Sequence, residues 1–432
     1  MASLRIHSRP LKGKVLAQPS KSMAHRAMLC GALAKGETII DNLVLSDDML
    51  ATMGAIEALG AELSLSDSRR FKGRKSLRIH SKGSINLCKK SIDCLESGST
   101  ARFIMPITRL AEDEVILTGR GRLVERPFSL YQELFEAKGI VYRDSHGKMP
   151  ITLSGRLLPG EYVLPGNVSS QFISGLLFAL PLLEGDSLIR ITQRIESEPY
   201  IRMTLQVLEA FGIRCLFNPI EQTLRIPGYQ CYQPVSDYIV EGDWSQAAFF
   251  CILGTLSETI TIEGLNLDSL QGDKVILDLL QGMGAQPELG KDSITFRKET
   301  LKGTDIDVSQ CPDLVPVLSV AASQAEGRTH IMNAARLRIK ESDRLTTTCR
   351  ELSALGGHII EEPEGLIIEG ITRLKGGKTH GSGDHRIVMA MALASAACEG
   401  IIEIEGSEAV HKSYPEFWED FVALGGKIEA YE

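Results

Sequence analysis

A chain of 432 residues, 43% of them hydrophobic, has material for two domains, each with an ample core. A formal net charge of −8 argues against nonspecific nucleic-acid or membrane-surface binding, and no apolar run approaches the roughly 20 residues of a membrane helix. Nine cysteines without a C-x-x-C pair, nine histidines without H-E-x-x-H spacing, and a start without a signal-peptide layout predict reduced thiols in a cytoplasm and no structural metal.

In chain order, Ser20-Lys21-Ser22 precedes an apolar helical stretch from about Arg26 to Leu33, stopped by Gly36. Glu37 to Ile40 alternates like a half-buried strand, and Ser46-Asp47-Asp48 opens a second helix that closes at Gly60. This order returns five more times. The closing triplets Ala58-Leu59-Gly60, Ala137-Lys138-Gly139, Ala210-Phe211-Gly212, Gly282-Met283-Gly284, Ala354-Leu355-Gly356 and Ala423-Leu424-Gly425 recur about every 70–80 residues. That period exceeds the roughly 20–50 residues of a solenoid repeat and suits a supersecondary unit. Six repeats divide into three plus three, with the join near Gln233-Pro234 to Val240.

The later first helices open at Ser97-Gly98-Ser99, Ser169-Ser170-Gln171, Gly242-Asp243-Trp244-Ser245, Cys311-Pro312-Asp313 and Gly383-Asp384-His385-Arg386. The later second helices open at Glu125-Arg126-Pro127, Ser197-Glu198-Pro199, Gln271-Gly272-Asp273, Lys340-Glu341-Ser342-Asp343-Arg344 and Lys412-Ser413-Tyr414-Pro415. Ser, Asp and Pro are ordinary at a helix start, because they satisfy or omit unpaired N–H groups. Cations are not, since that end already carries partial positive charge unless an anion meets it. Lys21, Arg126, Lys340, Arg344, Arg386 and Lys412 recur there, and together they point to a ligand with several anionic groups.

Ser22 and Arg26 stand one helical turn apart and can share a ligand with Lys21. Ser97-Gly98-Ser99 can cradle phosphate, although short Gly/Ser turns are common and no Walker lysine follows; Arg102 reads equally as an ion-pair former. Ser169-Ser170-Gln171 reads equally as a cap or as a hydroxyl and phosphate contact. Asp313 is either an N-cap or a general base. In the densest run, Lys340 and Arg344 are four apart and share a helix face beside Glu341. Arg386 opens an uncharged helix, where a guanidinium usually has an anionic partner.

Taken in order, Ser20-Lys21-Ser22 with Arg26, Ser97 to Arg102, Leu117-Thr118-Gly119 with Glu125-Arg126-Pro127, Ser169-Ser170-Gln171, Ser197 with Tyr200, Pro312-Asp313, Lys340 to Arg344, Asp384-His385-Arg386 and Lys412 with Pro415 closely resemble the 5-enolpyruvylshikimate-3-phosphate synthase family over almost the whole chain. The resemblance implies an α/β fold: a two-domain inside-out α/β barrel of six βαβαββ repeats, three per domain about a pseudo-threefold axis. The domains would be residues 20–239 and residues 1–19 with 240–432, the active site lying in the cleft between them. It implies transfer of the carboxyvinyl group of phosphoenolpyruvate to the 5-hydroxyl of shikimate 3-phosphate, on the way to chorismate and the aromatic amino acids. A cytoplasmic monomer without cofactor, metal, nucleic acid or membrane partner is the accompanying expectation.

The resemblance assigns shikimate 3-phosphate to Lys21, Ser22, Arg26, Ser169, Ser170, Gln171, Ser197, Asp313 and Lys340. It assigns phosphoenolpyruvate to Lys21, Gly98, Arg126, Gln171, Arg344, Arg386 and Lys412. Asp313 would deprotonate the hydroxyl, Glu341 would take part in protonating the methylene carbon, and Lys21 would polarise the leaving phosphate. Three positions depart from the commoner pattern. Glu96 replaces an Asn and needs a cationic partner, Arg102 or a nearby lysine; Arg336 replaces an Asn and either contacts phosphate or points away; Ser99 replaces a Thr. The related transferase acting on UDP-N-acetylglucosamine carries a reactive cysteine before the Arg-Pro pair, where this chain has Thr118 to Leu123 and no cysteine from Cys94 to Cys215. A non-catalytic metabolite sensor and a nucleic-acid end-processing enzyme are the readings from other classes; the acidic balance disfavours the latter.

Overall fold

Each repeat buries one helix completely and one only on a single face, and this difference orders the whole chain. A computed structural model describes residues 3–371 and 373–431, so positions 1, 2, 372 and 432 of the expected second domain lie outside the described residues. The helices are α1 (Lys21–Leu33), α2 (Asp47–Ala58), α3 (Gly98–Thr108), α4 (Ser129–Ala137), α5 (Ser170–Ala179), α6 (Glu198–Ala210), α7 (Trp244–Leu256), α8 (Ile276–Gly282), α9 (Val315–Ala322), α10 (Arg344–Ala354), α11 (His385–Ala394) and α12 (Phe417–Ala423). All residues of α7, α9 and α11 are buried, and α1, α3 and α5 are buried beyond their first residues. These helices carry no charge past their first two turns, as burial on every side demands. The even-numbered helices alternate buried and exposed positions and cover the sheets with one face.

The chain divides into two compact units, Met1–Gln18 with Glu241–Glu432 (unit 1) and Pro19–Val240 (unit 2). Six four-stranded sheets occur among the described residues. The third repeat shows the pattern: Gly160–Pro165 runs parallel to Ser187–Thr192, as a βαβ crossover requires, and Thr223–Ile226 and Leu216–Asn218 follow as an antiparallel hairpin. Among the described residues no sheet closes on itself, so the expected inside-out barrel is realised in each unit as three separate sheets, each with two edges.

Three sheets are completed by strands far away in sequence. Tyr238–Ile239 pairs in parallel with Ile40–Asp41, so the stretch read as a join is part of the first sheet of unit 2. Gly13–Leu16 pairs in parallel with Ile260–Glu263, and Ser3–His7 lies antiparallel between Ile402–Glu405 and Lys427–Tyr431. The opening segment thus belongs to unit 1.

Local differences from the sequence reading follow from capping. α1 starts at Lys21, five residues before Arg26, because the Ser20 hydroxyl accepts from Met23 N. It ends at Leu33, and Gly36 lies within the next strand at φ +126°. Asp313 is not a cap; it sits in the tight turn Pro312–Leu314 that leads into α9.

α3 and α5 pass close together at Gly175. A Cβ there would collide with Tyr131 Oη and the Arg102 carbonyl oxygen. Tyr131 Oη lies 2.9 and 2.8 Å from the carbonyl oxygens of Arg102 and Phe172, its one hydrogen shared between them. Gly175→Ala is expected to destabilise unit 2 by about 1–3 kcal/mol through overpacking. Urea unfolding followed by far-UV circular dichroism would show an earlier transition, while emission from Trp244 and Trp418, both in unit 1, reports the other unit. An unchanged profile would mean the helices can separate without cost.

Candidate active-site clusters

Unit 2 gathers its polar residues at the starts of α1, α3, α5 and α6. Ser20, Ser97 and Ser169 cap α1, α3 and α5, each accepting a backbone N–H. Lys21 Nζ lies 2.7 Å from Asp48 Oδ2 on α2. Arg26 is buried and fixed on three sides: Nε donates to Thr204 Oγ1 at 2.8 Å, Nη1 to the Ser22 carbonyl at 2.7 Å and Nη2 to the Tyr200 carbonyl at 3.1 Å. Burial lowers its pKa to about 10. Ser197, one residue before α6 and 4% exposed, holds a left-handed conformation at φ +57°. A non-glycine residue there is uncommon and points to a constrained position.

Gly98 begins α3 beneath two guanidiniums. A Cβ there would sit 2.5 Å from Arg126 Nη1 and 3.2 Å from Arg102 Nη1. Arg102 Nη1 donates to Gln171 Oε1 at 2.7 Å, and Gln171 Nε2 donates to Ser99 Oγ at 2.8 Å. Arg102 therefore orients Gln171, a role the sequence reading left between ion pair and ligand contact. Ser169 caps and Gln171 bridges, while Ser170 opens α5 nearly buried. The Glu96 carboxylate folds against Gly121, where a Cβ would strike it. A buried chain, His25 Nδ1 to Thr52 Oγ1 at 2.5 Å, Thr52 to Thr100 at 2.8 Å and Thr100 to Ser97 at 2.8 Å, ties α1, α2 and α3 together. Burial lowers the His25 pKa to about 3, so this imidazole is neutral in ordinary buffer.

In unit 1 the centre is Arg344, whose side chain is 2% exposed. Its Nε donates to Asp384 Oδ2 at 2.7 Å, Nη1 to Asp313 Oδ1 at 2.7 Å, and Nη2 to Glu341 Oε2 at 2.8 Å and Asp384 Oδ1 at 3.2 Å. Lys340 Nζ stands 3.4 Å from the same Asp313 oxygen. Arg386 Nη1 donates to the Asp313 carbonyl at 3.1 Å, and its Nη2 lies 3.8 Å from Asp313 Oδ2. Lys340 and Arg344 do not share a helix face as the spacing predicted. Asp343 caps α10, which begins only at Arg344, and Lys340 is extended outside it. They converge because both answer the charge of Asp313. Arg336, one of the atypical positions, donates from Nη2 to the Ser309 carbonyl at 2.7 Å. Lys412, 8% exposed, lies on the tight turn Ser407–Lys412; its neighbour Ser413 accepts from Gln246 Nε2 at 3.1 Å.

Burial opposes ionisation of Asp313, but Lys340, Arg386 and Arg344 outweigh it and hold the carboxyl well below the usual range. Burial lowers the Lys340 pKa against the opposing pull of Asp313. Burial likewise disfavours charge on Arg344, and Asp384, Glu341 and Asp313 together raise its pKa. Two carboxylates were missed as site residues. Asp384, fully buried, caps α11 and orients Arg344; Asp48 holds Lys21. Each sits at a helix start where an Asp reads as a simple cap, so no local signal separates the two tasks.

The sequence profile of the EPSP synthase (3-phosphoshikimate 1-carboxyvinyltransferase) family matches residues 6–421. The chain is 44% identical over 433 residues to a 3-phosphoshikimate 1-carboxyvinyltransferase of Clostridium novyi, covering 100% of this chain and 99% of the relative. It is 46% identical over 432 residues to that of Clostridium acetobutylicum, with the same coverage. A solved structure of the Acinetobacter baumannii EPSP synthase superposes with a TM-score of 0.83 at 26% identity over 100% of both chains. The enolpyruvyl transferase NikO from Streptomyces tendae, 18% identical with a TM-score of 0.81 over 100% of this chain and 99% of its own, shares the fold. With a profile match over residues 6–421 and relatives 44% and 46% identical along the whole chain, this chain belongs to the EPSP synthase family.

Proposed function

We propose that the two clusters serve one reaction, with the helix starts of unit 2 binding chiefly shikimate 3-phosphate and the Arg344 group of unit 1 receiving phosphoenolpyruvate and holding the acid–base pair. The enzyme is a 3-phosphoshikimate 1-carboxyvinyltransferase, moving the carboxyvinyl group of phosphoenolpyruvate to the 5-hydroxyl of shikimate 3-phosphate with release of phosphate. The observation that carries the residue assignment is the convergence of Arg344, Arg386 and Lys340 on Asp313.

In the addition step the 5-hydroxyl oxygen bonds to carbon 2 of phosphoenolpyruvate, its proton passes to Asp313, and carbon 3 takes a proton with Glu341 taking part. In the elimination step the carbon–phosphate oxygen bond breaks, phosphate leaves with the electron pair towards Lys21, and the methyl group returns a proton to restore the double bond. Ser22, Arg26, Ser169, Ser170, Gln171, Ser197 and Lys340 hold shikimate 3-phosphate, together with Lys21 and Asp313. Gly98, Arg126, Gln171, Arg344, Arg386 and Lys412 hold phosphoenolpyruvate, with Lys21 again shared. Gly98 is suited to this role because only a residue without a side chain fits under Arg126.

A carboxylate ionised this firmly is a weak base. Substrate changes that. When the phosphoenolpyruvate carboxylate takes a place on Arg344 and Arg386, their hold on Asp313 weakens and its proton affinity rises. Substrate binding thus prepares the base, and the same carboxylate cannot be a strong base before the anion arrives. The nine free thiols among the described residues support a reducing cytoplasm as the site of action, and we take the working form to be a monomer.

Purified protein given phosphoenolpyruvate and shikimate 3-phosphate is expected to release phosphate, and none with UDP-N-acetylglucosamine as acceptor. Asp313→Ala should cut kcat by about 10²–10⁴ while phosphoenolpyruvate still binds by calorimetry. Turnover preserved in that variant would remove Asp313 from the chemistry. Arg344→Lys keeps a charge but loses the fork that reaches three carboxylates, so KM for phosphoenolpyruvate should rise by roughly tenfold or more, with KM for shikimate 3-phosphate little changed. Equal rises in both constants would contradict the division of labour.

A further inference from the structure

Two contacts between α1 and α2 stand one helical turn apart. Lys21 Nζ meets Asp48 Oδ2 at 2.7 Å, and His25 Nδ1 meets Thr52 Oγ1 at 2.5 Å, each pair separated by 27 residues. The spacing matches because Lys21 and His25 share one face of α1, as Asp48 and Thr52 share one face of α2. The second contact is buried from both sides, and neither of its residues belongs to the substrate set. It continues into α3: Thr52 Oγ1 lies 2.8 Å from Thr100 Oγ1, which donates to Ser97 Oγ at 2.8 Å.

A threonine hydroxyl has one hydrogen. Two acceptors claim that of Thr52: the Asp48 carbonyl at 3.3 Å, which can only accept, and Thr100 Oγ1, whose own hydrogen goes to Ser97. His25 Nδ1 therefore bonds Thr52 by donating. The other tautomer would draw the Thr52 hydrogen to the ring and bury an N–H at Nε2, which no acceptor among the described residues reaches. Burying an N–H without an acceptor is costly. Burial, against the pull of Asp48, lowers the His25 pKa to about 3, so the ring is neutral and its one hydrogen sits on Nδ1.

We propose that His25, as a neutral Nδ1–H donor to Thr52, is a positioning residue that sets the register of α1 against α2 and thereby aims Lys21 at shikimate 3-phosphate. An ammonium is a point charge on a flexible stem, so the Lys21–Asp48 pair alone tolerates sliding of the two helices. A buried imidazole–hydroxyl bond does not, because neither partner can turn to water when the helices shift. With α2 fixed at Thr52, the Asp48 carboxylate one turn earlier holds the Lys21 ammonium in one place. The same chain of bonds brings the start of α3, with Gly98, into register.

This role rests on the assignment of Lys21 to shikimate 3-phosphate, which Lys21→Ala tests separately through the loss of affinity in calorimetry. Thr52→Val and His25→Leu are each expected to raise Kd for shikimate 3-phosphate by about tenfold, whereas Thr52→Ser and His25→Asn, which keep a hydroxyl and an N–H donor, should stay within about twofold. In a Lys21→Ala background, Thr52→Val should change Kd by less than about twofold, because its effect passes through Lys21. A general loosening of unit 2 would weaken binding equally in both backgrounds. Nitrogen NMR of labelled histidine in the wild-type protein, with the His25 signal assigned by its loss in His25→Asn, should show the hydrogen on Nδ1 at neutral pH. A hydrogen on Nε2, equal losses in both backgrounds, or an unchanged Kd in Thr52→Val would each overturn the proposal. If His25→Leu does not fold by circular dichroism, the two Thr52 variants and the NMR spectrum decide. If Lys21→Ala leaves Kd unchanged, the underlying assignment fails and the positioning role with it.

Discussion

A helix buried on every side cannot carry charge along its length, because an isolated ion in the interior costs several kcal/mol that no solvent recovers. The six central helices obey this constraint, and it confines their ionic residues to the first two turns, close to the polar cap and N–H groups. Lys21, Arg26, Arg102 and Arg386 sit at such starts. The polar chemistry of each unit therefore collects at one end of its central helices, and the repeat makes that end recur.

The two units manage the collected charge differently. In unit 2 the central helices are capped by neutral Ser20, Ser97 and Ser169, and Arg26 is anchored by a hydroxyl and two carbonyls that leave its charge uncompensated. Such a start favours an incoming anion. In unit 1, Asp243 and Asp384 cap α7 and α11, and Arg344 faces three carboxylates. There an anion must compete with carboxylates already in place. Removing one member of a buried ionic group leaves its partners uncompensated at a cost of about 3–5 kcal/mol, so the cluster holds its geometry through mutual dependence. Competition of this kind suits a site where binding has to alter the basicity of a resident acid.

Much of this was legible in the chain. The six glycine-terminated units, the helix starts and the cations upon them follow from local rules of capping and periodicity, and the ordered motifs carried the family. The errors were also local. Spacing alone put Lys340 and Arg344 on one helix face, but Asp343 begins the helix after Lys340 has passed. Asp313 was open between cap and base; its place inside the turn Pro312–Leu314 shows that it does not cap, and the cations around it are what hold it ionised. Asp384 and Asp48 looked like ordinary first-turn acids, because their partners Arg344 and Lys21 lie 40 and 27 residues away.

The ordered motifs carried the class of fold through the family resemblance; the sequence by itself determined the repeat, the helices that must be buried, and the residue types available at their starts. Those depend on hydrogen bonds and hydrophobic spacing within a few residues. Tertiary structure decided which strand completes each sheet, as when Tyr238–Ile239 joins Ile40–Asp41, and which acid answers each cation, as when Asp384 meets Arg344 across 40 residues. The physical reason is the range of the interaction. Capping and periodicity act along the chain, whereas backbone pairing at a sheet edge and charge compensation in a buried site depend only on distance in space, which the order of residues does not contain.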